Sequence, residues 1–217
     1  MGRFGRRGFG VIDSALLIVD VQIDFCPGGA LPVPEGDEVV APINRLAPMF
    51  GVAVATQDWH PAGHVSFAST HPGRAPFDSI DIGDTRQTLW PDHCVAGSPG
   101  AALHPALDLT PIDLILRKGT TPELDSYSAF LENDRRTTTG LAGYLRERSV
   151  RSVYVVGLAA DVCVRHTAVD AVELGFRTFV VTDATRAVDQ PPGAYESALA
   201  AMTSVGVGLI SSREIPE

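Results

Sequence analysis

Cysteine is scarce: the 217 residues hold three, Cys26, Cys94 and Cys163. An odd, scattered set offers no disulfide framework, and no two have the spacing of a metal knuckle, which fits a reducing compartment. Long apolar runs are missing too. The longest, such as Ala15 to Val19, fall far short of the roughly 18 residues of a membrane span. Positive charge is in short supply, with 17 Lys and Arg against 26 Asp and Glu and a net charge of −9. A chain this acidic binds phosphate backbones and anionic lipid poorly, so neither nucleic acid nor a membrane is an expected partner. There is no internal repeat. The glycine-rich stretch from Gly28 to Gly36 lacks the Gly-Lys-Ser/Thr ending of a phosphate-binding loop and reads as turn chemistry.

What is present is an ordinary globular composition, 45% hydrophobic and 20% charged, in a chain long enough for one well-filled domain. The first residues carry Arg3, Arg6 and Arg7, but no apolar stretch of signal-peptide length follows, because Asp13 and Asp20 interrupt it. Residues 1–12 are therefore expected to be a flexible tail of a cytoplasmic protein, and residues 13–217 a single domain. Near-continuous apolar runs at Ala15 to Val21, Val52 to Thr56, Asp113 to Arg117, Ser152 to Gly157, Thr178 to Thr182 and Val207 to Ser211 read as strands buried on both faces. Helical spacing lies between several of them, at Glu38 to Met49, Thr138 to Arg148, Val162 to Leu174 and Ala194 to Val205. This alternation predicts an α/β fold, a three-layer α/β/α domain around a largely parallel sheet of about six strands, with the active site at the carboxyl ends of the strands. The stretch from Gln57 to Pro111 breaks the rhythm. It is proline-rich and contains five of the six histidines and both tryptophans, so a long functional insertion is expected there.

Three places could carry chemistry. Asp58-Trp59-His60 directly follows the second strand, with His64 and His93 further on. Carboxylate and imidazole two residues apart in extended chain point to the same side and suit a divalent transition metal, although ordinary loop histidines remain an open reading. Cys163 lies where a strand meets a helix, in Gly157-Leu158-Ala159-Ala160-Asp161-Val162-Cys163. Amides and the helix dipole there favour a thiolate and can hold an oxyanion, while a buried structural thiol is the competing reading. Asp20 ends the first strand and Lys118 the third, as either a proton acceptor with its partner or a plain ion pair. In a parallel sheet Asp20, Asp58, Lys118 and Cys163 all emerge on one edge. Asp24 reads as turn capping or loop support, and Cys26 and Cys94 as inert thiols.

These pieces, in this order and spacing, resemble the nicotinamidases, also called pyrazinamidases, of the isochorismatase-like cysteine hydrolases. The resemblance is carried by Asp20-Val21-Gln22-Ile23-Asp24-Phe25 with Gly28-Gly29-Ala30-Leu31, by Thr56-Gln57-Asp58-Trp59-His60-Pro61 with His64-Val65-Ser66-Phe67, and by Trp90-Pro91-Asp92-His93-Cys94-Val95. Arg117-Lys118-Gly119, Asp125-Ser126-Tyr127-Ser128-Ala129-Phe130 and Leu158-Ala159-Ala160-Asp161-Val162-Cys163-Val164 complete it. It implies that Asp20, Lys118 and Cys163 form a catalytic triad, and that Asp58, His60 and His93 ligate one zinc, iron or manganese ion. His64 matches a position that ligates metal in only some members. Phe25 and Trp90 match residues that sandwich a pyridine ring. Ala159, preceded by a cis peptide bond in the family, would form the oxyanion hole with Cys163. The implied reaction is hydrolysis of nicotinamide, and of pyrazinamide, through a cysteine thioester in NAD salvage, by a chain able to form homo-oligomers.

Two other readings compete. Sister amidases acting on carbamoyl or ureido groups share the Asp, Lys and Cys but generally lack the metal set, and members that hydrolyse isochorismate lack the cysteine. A non-catalytic metal- or ligand-binding domain on the same fold would not need every reactive position.

Overall fold

The computed structural model describes residues 11–83 and 85–215. Strand β1 (Val11–Val19) begins two residues before the expected domain start, while residues 1–10 of the expected tail lie outside the described residues. Alternate side chains of β1 enter different cores. Leu16 and Ile18 join one buried cluster, and Ala15, Leu17 and Val19 join the other, as a strand covered on both faces requires.

The order continues with α1 (Val40–Leu46), β2 (Phe50–Asp58), β3 (Ser79–Ile82), β4 (Thr85–Thr88), β5 (Leu114–Lys118), α2 (Leu141–Glu147) and β6 (Ser152–Gly157). Helix α3 (Cys163–Glu173), β7 (Arg177–Thr185), α4 (Ala194–Ser204) and β8 (Gly208–Ile210) follow. Six strands form one parallel sheet in the order β5-β2-β1-β6-β7-β8. The α1 side chains Val40, Ile43 and Leu46 pack on one face. Leu141 and Leu145 of α2, Val164 and Ala168 of α3 and Met202 of α4 pack on the other, which gives the expected three layers. The chain winds outward from β1 through β2 to β5, then returns to the other side of β1 and runs through β6 to β8. That reversal opens a crevice beyond the carboxyl ends of β1 and β6, where open α/β sheets bind ligands.

Three elements differ from the sequence reading. The helix expected from Glu38 to Met49 is split into 3-10 turns at Gly36–Val39 and Ala47–Met49 with only α1 between them, because Pro48 has no N–H to continue the ladder. Helix α2 starts at Leu141, since Gly140 takes a left-handed φ of 89° just before it. The insertion from 57 to 111 contains an antiparallel hairpin, β3 with β4, whose four-residue strands of mixed polarity are too short to register as a period.

Gly157 ties the sheet to the crevice. Its φ is 104°, and a Cβ there would lie 2.1 Å from the Val19 carbonyl oxygen of the neighbouring strand. Gly157→Ala is therefore expected to lower stability by roughly 3 kcal/mol or more in denaturant unfolding, from the strained φ together with the backbone overlap. An unchanged midpoint would mean that β6 ends without this close approach.

Candidate active site

Parallel register sets the site. Asp58 and Lys118 are paired neighbours at the ends of β2 and β5. Asp20 follows β1 with a φ of 49°, and its backbone N–H donates to Thr56 Oγ1 at 3.1 Å. Cys163 is the first residue of α3, beyond the end of β6. Four residues far apart in sequence thus meet at one sheet edge, as the parallel reading required.

Lys118, the only lysine in the chain, is 1% exposed. Its ammonium donates to Asp58 Oδ1 and, at 2.9 Å, to the Ser126 carbonyl; it lies 2.9 Å from Asp20 Oδ2 and 3.6 Å from Cys163 Sγ. Burial would discharge it, but Asp20, Asp58 and Cys163 outweigh burial and hold its pKa well above the usual lysine value. Asp20 is fully buried, its Oδ1 accepting from Thr56 Oγ1 at 2.5 Å. Burial pushes its pKa up to about 6, although Lys118 pulls the other way. The Cys163 thiol is pushed well above the usual range, first by burial and then by the two carboxylates, against the pull of Lys118. Asp20, on the same ammonium, is the group placed to act as the base that frees the sulfur.

Next to this cluster, Asp58 Oδ2 lies 3.6 Å from His60 Nε2 and 3.8 Å from His93 Nε2. Each imidazole is oriented through its other nitrogen. His60 Nδ1 donates to the Gly119 carbonyl at 3.0 Å, and His93 Nδ1 donates to the Pro91 carbonyl at 2.7 Å. Both Nε2 atoms are left facing Asp58, as in histidine ligands held by backbone carbonyls. Burial and the neighbouring His60 lower the His93 pKa to about 4, which keeps its lone pair free. Gly119 is part of the cradle, with a φ of 62° and a position where a Cβ would lie 2.5 Å from His60 Cε1. The three donor atoms lie within 4.8 Å of one another, and two carboxylates face a single ammonium, so the set suits one divalent cation. His64 does not join this set. Its Nε2 donates to the Thr121 and Leu124 carbonyls at 3.1 and 3.2 Å, and Ser66 Oγ occupies its Nδ1 at 2.8 Å. It stacks on His60 at a 4.3 Å ring separation and pins the segment after Lys118.

A pocket lies over these groups, and Phe25 and Trp90 both line it, with Cys163 and Ala159. The Leu158–Ala159 peptide bond is cis. Asp24 supports the neighbouring loop as expected, its Oδ2 accepting from the Cys94 N–H at 2.7 Å and its Oδ1 from the Ala30 N–H at 3.2 Å. Burial raises the thiol pKa of both Cys26 and Cys94, in keeping with inert groups. Sequence reading gave no role to several wall residues. Tyr127, whose hydroxyl accepts from Trp90 Nε1 at 3.3 Å, sits in the motif that follows Lys118 and was visible there, as was the solitary lysine. Leu31, Val162 and Val188 also line the cavity, and a lone aliphatic residue in a loop carries no sequence signal of such a place.

Residues 14–214 match the family model of the isochorismatase domain. The chain is 51% identical over 203 residues to a nicotinamidase of Acinetobacter baylyi, covering 94% of each chain. A solved nicotinamidase and pyrazinamidase of Acinetobacter baumanii superposes with a TM-score of 0.91 at 48% identity, over 93% of this chain and 97% of that one. A pyrazinamidase of Pyrococcus horikoshii in complex with zinc gives 0.76 at 37% identity, over 92% and 99%. The match spans β1 to the last described turn and takes in every residue of the buried cluster: the chain belongs to the isochorismatase family.

Proposed function

We propose that Cys163, Asp20 and Lys118 are the machinery with which this chain hydrolyses nicotinamide to nicotinate and ammonia, the reaction that returns nicotinamide to NAD synthesis. The activity follows from identity to nicotinamidases over nearly the whole chain. The observation that carries the mechanism is one buried ammonium in contact with a carboxylate of raised pKa and a thiol.

Asp20 accepts the Cys163 proton as sulfur attacks the carboxamide carbon, and the C=O electron pair moves onto oxygen. The backbone N–H groups of Ala159 and Cys163 hold that oxyanion. Collapse breaks the C–N bond, with the proton on Asp20 passing to nitrogen, and ammonia leaves. Water then attacks the thioester while Asp20 takes its proton. The C–S bond breaks, the sulfur regains a proton, and nicotinate is released. Lys118 keeps its charge throughout, which holds Asp20 in place and offsets negative charge at sulfur. Phe25 and Trp90 supply flat walls for the heteroaromatic ring, which suits pyrazinamide as well.

Asp58, His60 and His93 would hold zinc, iron or manganese. A divalent ion bound there would supply Lewis-acid chemistry. This set favours nicotinamide over carbamoyl and ureido amides, whose amidases generally lack it. Three unpaired cysteines suit the reducing cytoplasm, where this reading places the chain. Among the described residues no helix is long and apolar enough to cross a membrane.

Two experiments test this reading. Cys163→Ala is expected to cut ammonia release from nicotinamide by about 10³-fold or more while leaving bound metal unchanged by elemental analysis. Substantial residual turnover would remove the nucleophile assignment. Gly119→Ala is expected to displace the His60 ring and lower metal content about ten-fold or more, as ligand-orienting substitutions do, with little change in circular dichroism. Full metal content in that variant would show that His60 is not held as described.

A further inference from the structure

Asp161 lies within the turn that leads to Cys163. It is 6% exposed, and its carboxylate reaches across to a different part of the chain. Oδ1 accepts the Val188 N–H at 3.1 Å, and Oδ2 accepts the Asp189 N–H at 2.8 Å. One residue earlier, the Ala160 N–H donates to the Arg186 carbonyl at 2.7 Å. Three hydrogen bonds thus strap residues 186–189 to the turn that carries the nucleophile. Val188 lines the cavity together with Phe25, Leu31 and Cys163, and it packs against the core cluster on the α1 face.

The strap has no strand or helix of its own at this point. It follows the end of β7, and Asp189 takes a φ of 53° before its own Oδ1 accepts from the Gly193 and Tyr195 N–H groups at the start of α4. The Val188 backbone is therefore placed by the Asp161 carboxylate. Such ionised acceptors bind amides about twice as strongly as neutral ones. Asparagine cannot replace it, because its NH₂ would face one of the two amide N–H donors.

We propose that Asp161 is a positioning residue for substrate selection: by holding the Val188 and Asp189 amides, it sets how close the Val188 wall stands to the substrate ring. This rests on the nicotinamidase reading above. Val188 stands in the wall of the pocket that holds Cys163, and displacement of that wall by a fraction of an ångström changes which ring substituents fit. The Asp161 carboxylate thereby fastens the Val188 wall to the turn that leads to Cys163.

The test measures kcat and KM by ammonia release for nicotinamide and for nicotinamides methylated at each free ring carbon, in the metal-loaded protein. Asp161→Asn is expected to raise KM for nicotinamide about ten-fold, with kcat changed by less than about three-fold, the loss of roughly one charge-assisted hydrogen bond appearing in binding. It should also raise the relative kcat/KM of at least one methylated substrate. Val188→Ala should favour that same substrate, and the double variant should show less than the product of the two single effects. A uniform fall in kcat across all amides with KM unchanged, or multiplicative effects in the double variant, overturns the proposal and leaves Asp161 a structural residue. If Asp161→Asn does not fold, Val188→Ala still decides: an unchanged substrate ranking places Val188 outside selection and overturns the proposal. If the unaltered protein releases no ammonia from nicotinamide, the nicotinamidase reading falls and takes this one with it. Activity in the unaltered protein with an unchanged ranking in the variants removes this inference alone.

Discussion

One buried ammonium organises the site. Lys118 leaves water completely, and its three protons are directed at Asp58, Asp20 and the Ser126 carbonyl, with the Cys163 sulfur in contact. An unpaired charge in that position would cost several kcal/mol, so the surrounding acceptors must be present and correctly placed. They come from the ends of β1 and β2, from the segment after β5 and from the first residue of α3. The sheet register that brings Asp58 level with Lys118 is therefore as much a condition of the chemistry as the residues themselves.

The same ammonium links two functions. Through Asp20 and Cys163 it touches the hydrolytic pair, and through Asp58 it touches the candidate metal set. Asp58 gives one oxygen to Lys118 and turns the other toward His60 and His93. Burial pushes the Cys163 thiol up and the Asp20 carboxyl up to about 6, while Lys118 pulls both down, so the base and the nucleophile share one buried ammonium.

The fold divides the work by stiffness. Strand ends of the parallel sheet fix Asp20, Asp58 and Lys118, and the point where the winding reverses leaves room above them for a ligand. The insertion between β2 and β5 delivers His60, His93 and Trp90. It is fastened to itself through the His60 N–H on the Cys94 carbonyl and the Ala96 N–H on the His60 carbonyl. Loop segments with no regular structure are held by single side chains: His64 pins the residues after Lys118, Asp24 the turn before Cys94, and Asp161 the strap carrying Val188.

Sequence alone determined the layered α/β fold, because strands buried on both faces must be apolar throughout and the helices between them must show their own period. It also marked Asp20, Asp58, Lys118 and Cys163 as neighbours, since parallel strands put their carboxyl ends on one edge. Local pattern could not find the short β3–β4 hairpin, or see that Pro48 and Gly140 shorten the flanking helices. Nor could it separate His64 from His60, as both are histidines in one loop. In the tertiary structure both His64 nitrogens have protein partners, while the Nε2 of His60 and of His93 face Asp58. It also decided the place of Val188. The reason is physical: burial, charge proximity and hydrogen-bond direction are properties of groups brought together from distant parts of the chain, and no stretch of sequence contains them.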